Sequence, residues 1–424
     1  NYPFKRTDSE IMSPLIEALP VKDLDSVLAQ TLGSTFQLKD VEWKPLTEPG
    51  ENFGSVIIAI KATIVRNNNS ETLNLVAKMS PTSAYLLDLF NSPLTFKKEL
   101  HFYSVTERAF RDLQLEYGVP EDKLCQLAPK FFGGRLGIQK RDNFDEQAVI
   151  VLENLKLTGY DTQDRIRGFD MKHTEYAVRE LAKLHGLSIA LKLKKPEFFK
   201  KHLLDVFQEK VNETAEKCVT SMIRKGQQDA KNLPESKPYL DRIDKTVEYG
   251  LEFIQGRKPE EPWGTLIHND FWVNNMMFKH TENGDIAGFK MVDFQLCMYD
   301  YGMSDLIFFL LSSVQIEIVD NHLNYILDLY YNTFIDCLKS LEVNTSLFTK
   351  QEYDELINKC APQKFNQCLM MVHVIKSSRK AAHELKNTEG EDMFLKRGGD
   401  ETCNAMLSHI VQVFAKRNCL AEPL

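Results

Sequence analysis

Several things are missing from this 424-residue sequence, and each absence removes a class of protein. Its eight cysteines, at 125, 218, 297, 337, 360, 368, 403 and 419, form no Cys-x-x-Cys pair and no Cys/His cluster at zinc-finger spacing. A disulfide scaffold is unusual at this length, so free thiols in a reducing, cytoplasmic compartment are expected. There is no excess of positive charge: 52 basic residues face 60 acidic ones, for a net charge of −8. No nucleic-acid partner is therefore expected, because such partners leave a basic footprint. Long hydrophobic runs are also absent. "LIFFLLSSVQI" (306–316) and "FNQCLMMVHVI" (365–375) are 11 residues each, well short of the ~20 that span a bilayer. Both read as buried helices, and no membrane partner is expected. The opening "NYPFKRTDSE" has no apolar signal core, and no repeat or low-complexity tract is evident.

What is present supports an ordinary globular core, with 43% hydrophobic residues. The first part mixes strands and helix. "FQLKDVEWKPL" (36–46), "SVIIAIKATIV" (55–65) and "ETLNLVAKM" (71–79) are rich in β-branched and aromatic residues and read as strands. The last two form a hairpin across "NNNS" (67–70). The spacing predicts a helix over 92–110, with Ser92 as N-cap, Pro93 at its first position, and Phe96, Leu100, Tyr103 and Glu107 along one face. Strands are expected at 130–137 and 147–155. A helix over 173–191 follows, with Ala177, Leu181, Leu184 and Ser188 in register, then several amphipathic helices over 192–262. A hairpin turning at "TENGD" (281–285) and a strand over 289–295 precede a helical remainder. The expected fold class is α+β: a small antiparallel β-sheet lobe over 1–154 and a large, mainly helical lobe over 155–424.

The chemistry concentrates in "LIHNDFWVNNMMF" (266–278), where His268, Asp270 and Asn275 make H-x-D-x-x-x-x-N. Asp293 follows at the end of the apolar strand "GFKMVDF". Phosphoryl transfer from ATP needs an oxygen base beside the accepting hydroxyl and oxygen ligands for Mg²⁺. Asp270 fits the base, and Asn275 and Asp293 fit the metal; Asn275 rather than Asn274 stands five residues after Asp270. His268 is grouped with Asp270, although its side chain is expected to support the loop backbone. Such a site also needs a lysine on the third strand paired with a helical glutamate. "LNLVAKM" supplies Lys78 and "TFKKELHFY" supplies Glu99. Gly50, Asn52, Gly54 and Ser55 in "PGENFGSV" sit where a turn covering the phosphates is expected, without the full G-x-G-x-x-G. The strand end at Glu153 and Leu155 is where an adenine would meet the backbone.

This order of motifs resembles the protein-kinase-like superfamily in its aminoglycoside phosphotransferase and choline kinase branch. Within that branch it more closely resembles the ecdysteroid kinase-like family of insects. "FKKELHFY", "VLENL", "LAKLHG", "HNDFWVNNMMF" and "MVDFQLCMYDYGMSDL" carry the likeness, which spans roughly residues 30–390. The resemblance implies a bilobal kinase using ATP and Mg²⁺ to phosphorylate a hydroxyl of an ecdysteroid or other hydroxylated lipophilic compound, foreign compounds included, as a monomer or weak homodimer. It also implies that Asp305 is structural, at a helix start. Asn269 stands where the family usually has Gly. Protein kinases place an A-P-E after the metal-binding Asp; here Asp293 runs directly into an apolar helix. A choline- or ethanolamine-type kinase and a silent nucleotide- or hormone-binding pseudokinase are the alternatives.

Overall fold

The computed structural model describes residues 19–46, 54–208, 212–376, 395 and 400–421. Five strands, β1 (Phe36–Pro45), β2 (Val56–Arg66), β3 (Asn69–Met79), β4 (Phe131–Arg135) and β5 (Val149–Glu153), form an antiparallel sheet in the order β1-β2-β3-β5-β4. The β2–β3 turn has Asn67 and Asn68 both at positive φ, 52° and 62°. Asparagine tolerates that geometry, and it matches the twist of a tight hairpin. Alternation sends Ile58, Ile60, Ala62, Leu75 and Ala77 to one face, where they pack with helix α1 (Leu24–Leu32). Helix α1 crosses β4 so closely that a Cβ on Gly133 would lie 2.0 Å from the Val27 carbonyl oxygen.

Between β3 and β4 come α2 (Ala84–Leu89), α3 (Ser92–His101) and α4 (Glu107–Glu116), and Phe96 of α3 shares a core with Ile150 and Leu152 of β5. The helix expected over 92–110 is divided by a π-helical stretch, Phe102–Thr106. A π turn adds one residue per turn, which the 3.6-residue spacing of the apolar side chains does not reveal. The N-cap is Asn91, not Ser92, and its carbonyl accepts from Leu94 and Thr95 N–H at 2.9 and 3.0 Å.

The helical part is built on α5 (Met171–Lys194), α6 (Glu213–Lys231), α7 (Leu240–Leu251), α8 (Met303–Ser313), α9 (Ile316–Ser340), α10 (Lys350–Lys376) and α11 (Glu401–Lys416). Both 11-residue apolar runs are largely buried, in and just after α8 and in α10. Two small sheets lie against these helices: β6 (Tyr160–Asp161), β8 (Met276–His280) and β9 (Ile286–Met291) in one, β7 (Gly264–Ile267) and β10 (Met298–Tyr301) in the other. All eight cysteines are free thiols. Among the described residues no helix is long and apolar enough to cross a membrane.

Candidate active site

Lys78 leaves β3 on the face opposite Ala77, so burial of Ala77 in the sheet core aims Lys78 away from that core. Its Nζ donates to Glu99 Oε2 at 2.6 Å and to Asp293 Oδ1 at 2.7 Å, with Gln295 Oε1 at 3.4 Å. The lysine and Glu99 are both buried. Burial alone would lower the Lys78 pKa, but the charges of Asp293 and Glu99 outweigh it and hold the ammonium above the usual lysine range. Burial drives the Glu99 carboxyl upward against the pull of Lys78.

Glu99 is delivered by α3, whose buried face also carries Phe96. The π stretch then turns Phe102 onto Phe294, rings stacked 3.6 Å apart, while Tyr103 meets Phe294 edge-on at 5.5 Å. The strand expected over 289–295 ends at Met291; Asp293 is left-handed, at φ 67°, and Phe294 begins a short 3₁₀ turn. The driving contact is apolar. Phe294 is fully buried among Phe102, Tyr103 and His268, and seating it bends the chain at Asp293.

The loop holding Asp270 links β7 to β8. Asp270 Oδ2 accepts from Asn275 Nδ2 at 2.9 Å and from the Trp272 indole N–H at 3.2 Å; Asn275 Nδ2 also reaches the Asp270 carbonyl at 2.8 Å. No partner to Oδ1 exists among the described residues. Burial, with the Asp293 charge adding, pushes the Asp270 carboxyl up to about 7. Val292 N–H donates to the Asn275 carbonyl at 3.0 Å, continuing the β8–β9 register and pairing Asn275 with the residue before Asp293. His268 sits behind this junction. Its Nε2 meets the Val292 carbonyl at 3.1 Å, and burial keeps its pKa low; the geometry gives it a structural contact.

Asp305, on the first turn of α8, is the hub of the loop. Its carboxylate accepts from His268 N–H at 2.7 Å, Asn269 N–H at 2.8 Å and His185 Nε2 at 3.2 Å. Burial would raise its pKa, but His185 and the other neighbouring positive groups hold it below the ordinary aspartate value. His185 is completed by Tyr330, 2.7 Å from its Nδ1, which gives "LAKLHG" its role of bracing the loop from α5. Asp305→Ala leaves two loop N–H groups and His185 without their acceptor. It is expected to cost about 3–5 kcal/mol, as removal of one partner from a buried charged network does, read as a fall in thermal midpoint together with loss of turnover.

The remaining candidates are more dispersed. Gly54 is pressed against Phe90, whose ring would lie 3.3 Å from an added Cβ, and Ser55 is buried beside it. Gly50 and Asn52 lie outside the described residues. The Glu153 carboxylate accepts from Lys130 N–H at 2.8 Å, and Leu155 opens a 3₁₀ turn as a buried residue. His185, Lys364 and Gln367 were not singled out from sequence, and Trp272, expected only as an apolar wall of the acceptor cleft, bonds Asp270 Oδ2. The only signal for His185 was its place in "LAKLHG".

The oxygens fit a hard divalent cation. Asn275 spends its amide N–H on Asp270 and keeps its carbonyl oxygen; Asp293 gives one oxygen to Lys78 and keeps the other. Few protein ligands, all oxygen, is the donor set magnesium accepts.

A model of the ecdysteroid kinase-like family matches residues 49–343. No curated protein matches the chain. Among solved structures, an ethanolamine kinase of Plasmodium vivax is 8% identical over 98% of this chain and 92% of its own, with a TM-score of 0.40. A spectinomycin phosphotransferase, solved with ADP and spectinomycin, is 10% identical over 99% of this chain and 100% of its own, with a TM-score of 0.43. Since the matched family segment takes in every described residue of the Lys78, Glu99, Asp270 and Asp293 constellation, the chain belongs to the ecdysteroid kinase-like family and is a phosphotransferase with an alcohol group as acceptor.

Proposed function

We propose that this protein transfers the γ-phosphate of ATP, with Mg²⁺, to a hydroxyl of an uncharged lipophilic compound such as a steroid or a hydroxylated xenobiotic. The observation that carries the reading is the convergence around Asp293: Lys78 reaches it across 215 residues of sequence, while Val292, the residue before it, donates its N–H to Asn275, which orients Asp270. Lys78, held by Glu99, takes the phosphates, which replace Asp293 as its second partner. Asn275 and Trp272 occupy Asp270 Oδ2 and turn Oδ1 toward the acceptor. Asp270 Oδ1 receives the proton of the acceptor hydroxyl as the hydroxyl oxygen attacks the γ-phosphorus, the bond from that phosphorus to the β,γ-bridging oxygen breaks and ADP leaves; the raised pKa of Asp270 suits that task. Asn275 and Asp293 would hold the cation, which when bound neutralises charge on the phosphates.

A neutral acceptor is favoured over choline or ethanolamine by the state of the carboxylates around the loop. Asp305 is committed to loop N–H groups and His185, Asp300 to Arg257 at 2.8 Å and Ser304 at 3.1 Å, and Asp293 to Lys78 here and to the cation once nucleotide takes Lys78. None of these three is spare to pair with an amine. The test is a panel of polyhydroxylated steroids, hydroxylated xenobiotics, choline and ethanolamine with MgATP, read by mass gain of one phosphate. Phosphorylation of only the two amines would overturn the proposed acceptor class. Asp293→Ala is expected to weaken nucleotide binding by about tenfold or more in the presence of Mg²⁺, and far less without it. Calorimetric titrations with and without the ion check this, and equal losses in both would remove Asp293 from the metal.

A further inference from the structure

Helix α10 turns polar side chains to the loop that the catalytic reading above leaves unused. Gln367 Nε2 donates to the Asn269 carbonyl at 2.7 Å. Lys364 Nζ donates to Asn269 Oδ1 at 2.9 Å and to Gln367 Oε1 at 2.7 Å, closing a ring of three residues. Lys364 is buried, at 4% exposure, so these acceptors replace water around its charge. On the opposite side the Asn269 N–H is held by Asp305 at 2.8 Å. Asn269 itself stands at φ 62°, a conformation that costs a residue with a side chain and persists only when its surroundings fix it. The residue before Asp270 is thus held at its N–H, its carbonyl and its side-chain oxygen.

The consequence concerns direction. The Asn269 carbonyl belongs to the peptide group that leads into Asp270. Because a peptide is planar, fixing that carbonyl fixes the plane from which the Asp270 side chain departs. The same helix reaches away from the loop as well: Gln363 Nε2 donates to the Phe253 carbonyl at 3.3 Å, and Asn366 Nδ2 to the Val247 carbonyl at 3.0 Å. One rigid element therefore joins the base to α7 and the turn after it.

We propose that Gln367 and Lys364 are positioning residues for Asp270, with Gln367 setting the plane of the 269–270 peptide and Lys364 locking Gln367 and Asn269 together. The inference rests on reading Asp270 as the base. Gln367→Glu separates the two tasks. A carboxylate keeps an oxygen for Lys364 and adds a counter-charge, but loses the N–H that the Asn269 carbonyl accepts.

With MgATP alone, and water as the acceptor, Gln367→Glu is expected to lower kcat for ADP release about tenfold. Its KM for ATP, calorimetric MgATP affinity and thermal midpoint stay near those of the unmodified protein. A kcat within twofold of the unmodified value, or a loss explained by KM or by lost MgATP binding, overturns the proposal. Lys364→Met, close in size, is measured in parallel as a second fold-preserving variant and is expected to show the same split between kcat and KM. Asp270→Asn serves as the control: if it leaves ADP release intact, the base assignment fails and this inference falls with it. If only the α10 variants are silent, the base stands and the inference alone is lost.

Discussion

Asp270→Asn is expected to lower phosphoryl transfer by about 10²–10⁴-fold, the usual worth of a positioned general base, while MgATP still binds. The substitution preserves shape. An amide in place of the carboxylate still offers one oxygen to Asn275 or Trp272, which now hold Asp270 Oδ2 at 2.9 and 3.2 Å. It also removes a negative charge from a site already crowded by Asp293, so nucleotide affinity is not expected to fall. Turnover on the best acceptor of the panel, with MgATP affinity by calorimetry on the same preparation, gives both halves. Transfer that survives unchanged would favour a role for Asp270 in structure alone. Retained nucleotide binding without any transfer in the unmodified protein would favour the pseudokinase alternative.

Lys78→Met is expected to damage both stability and activity. The lysine is the shared partner of the Glu99 carboxylate, whose side chain is 1% exposed, and of Asp293, whose side chain is 29% exposed. Removing one member of a buried ion pair costs about 3–5 kcal/mol when the other must stay charged. Proton uptake by Glu99 limits that cost, because its carboxyl is already driven upward by burial. On the catalytic side the loss of a fixed positive charge at the phosphates is expected to lower kcat/KM for ATP by about 10²–10³-fold. The two effects separate in Lys78→Met/Glu99→Gln. Neutralising the stranded carboxylate restores thermal stability toward that of the unmodified protein and leaves activity low. Normal ATP kinetics in Lys78→Met would refute the pairing with Glu99.

Some of this site was legible without coordinates because its information is local. A lysine ending an apolar strand, a glutamate on the next helix, and H-x-D-x-x-x-x-N followed by an aspartate after a second strand are fixed by short-range periodicity and by the chemistry of phosphates and hard cations. The hairpin at Asn67 and Asn68 was legible for the same reason, since its two central residues carry the conformation themselves. The glycine turn was less so: Gly54 answers to the ring of Phe90, a packing demand that nothing in "PGENFGSV" announces.

The sequence by itself determined the order and spacing of the reactive side chains and the alternation that turns Lys78 away from the sheet core. Tertiary structure alone decided which of them meet. It ended β9 at Met291 and bent Asp293 into a left-handed conformation, because burying Phe294 against Phe102 outweighs four more residues of strand. It made Asp305 and His185 the support of the loop, and set Lys364 and Gln367 against Asn269 from nearly a hundred residues away. The physical reason is that a buried charge or N–H must find its partner wherever packing delivers one, and that position is a property of the assembled core and of no single segment.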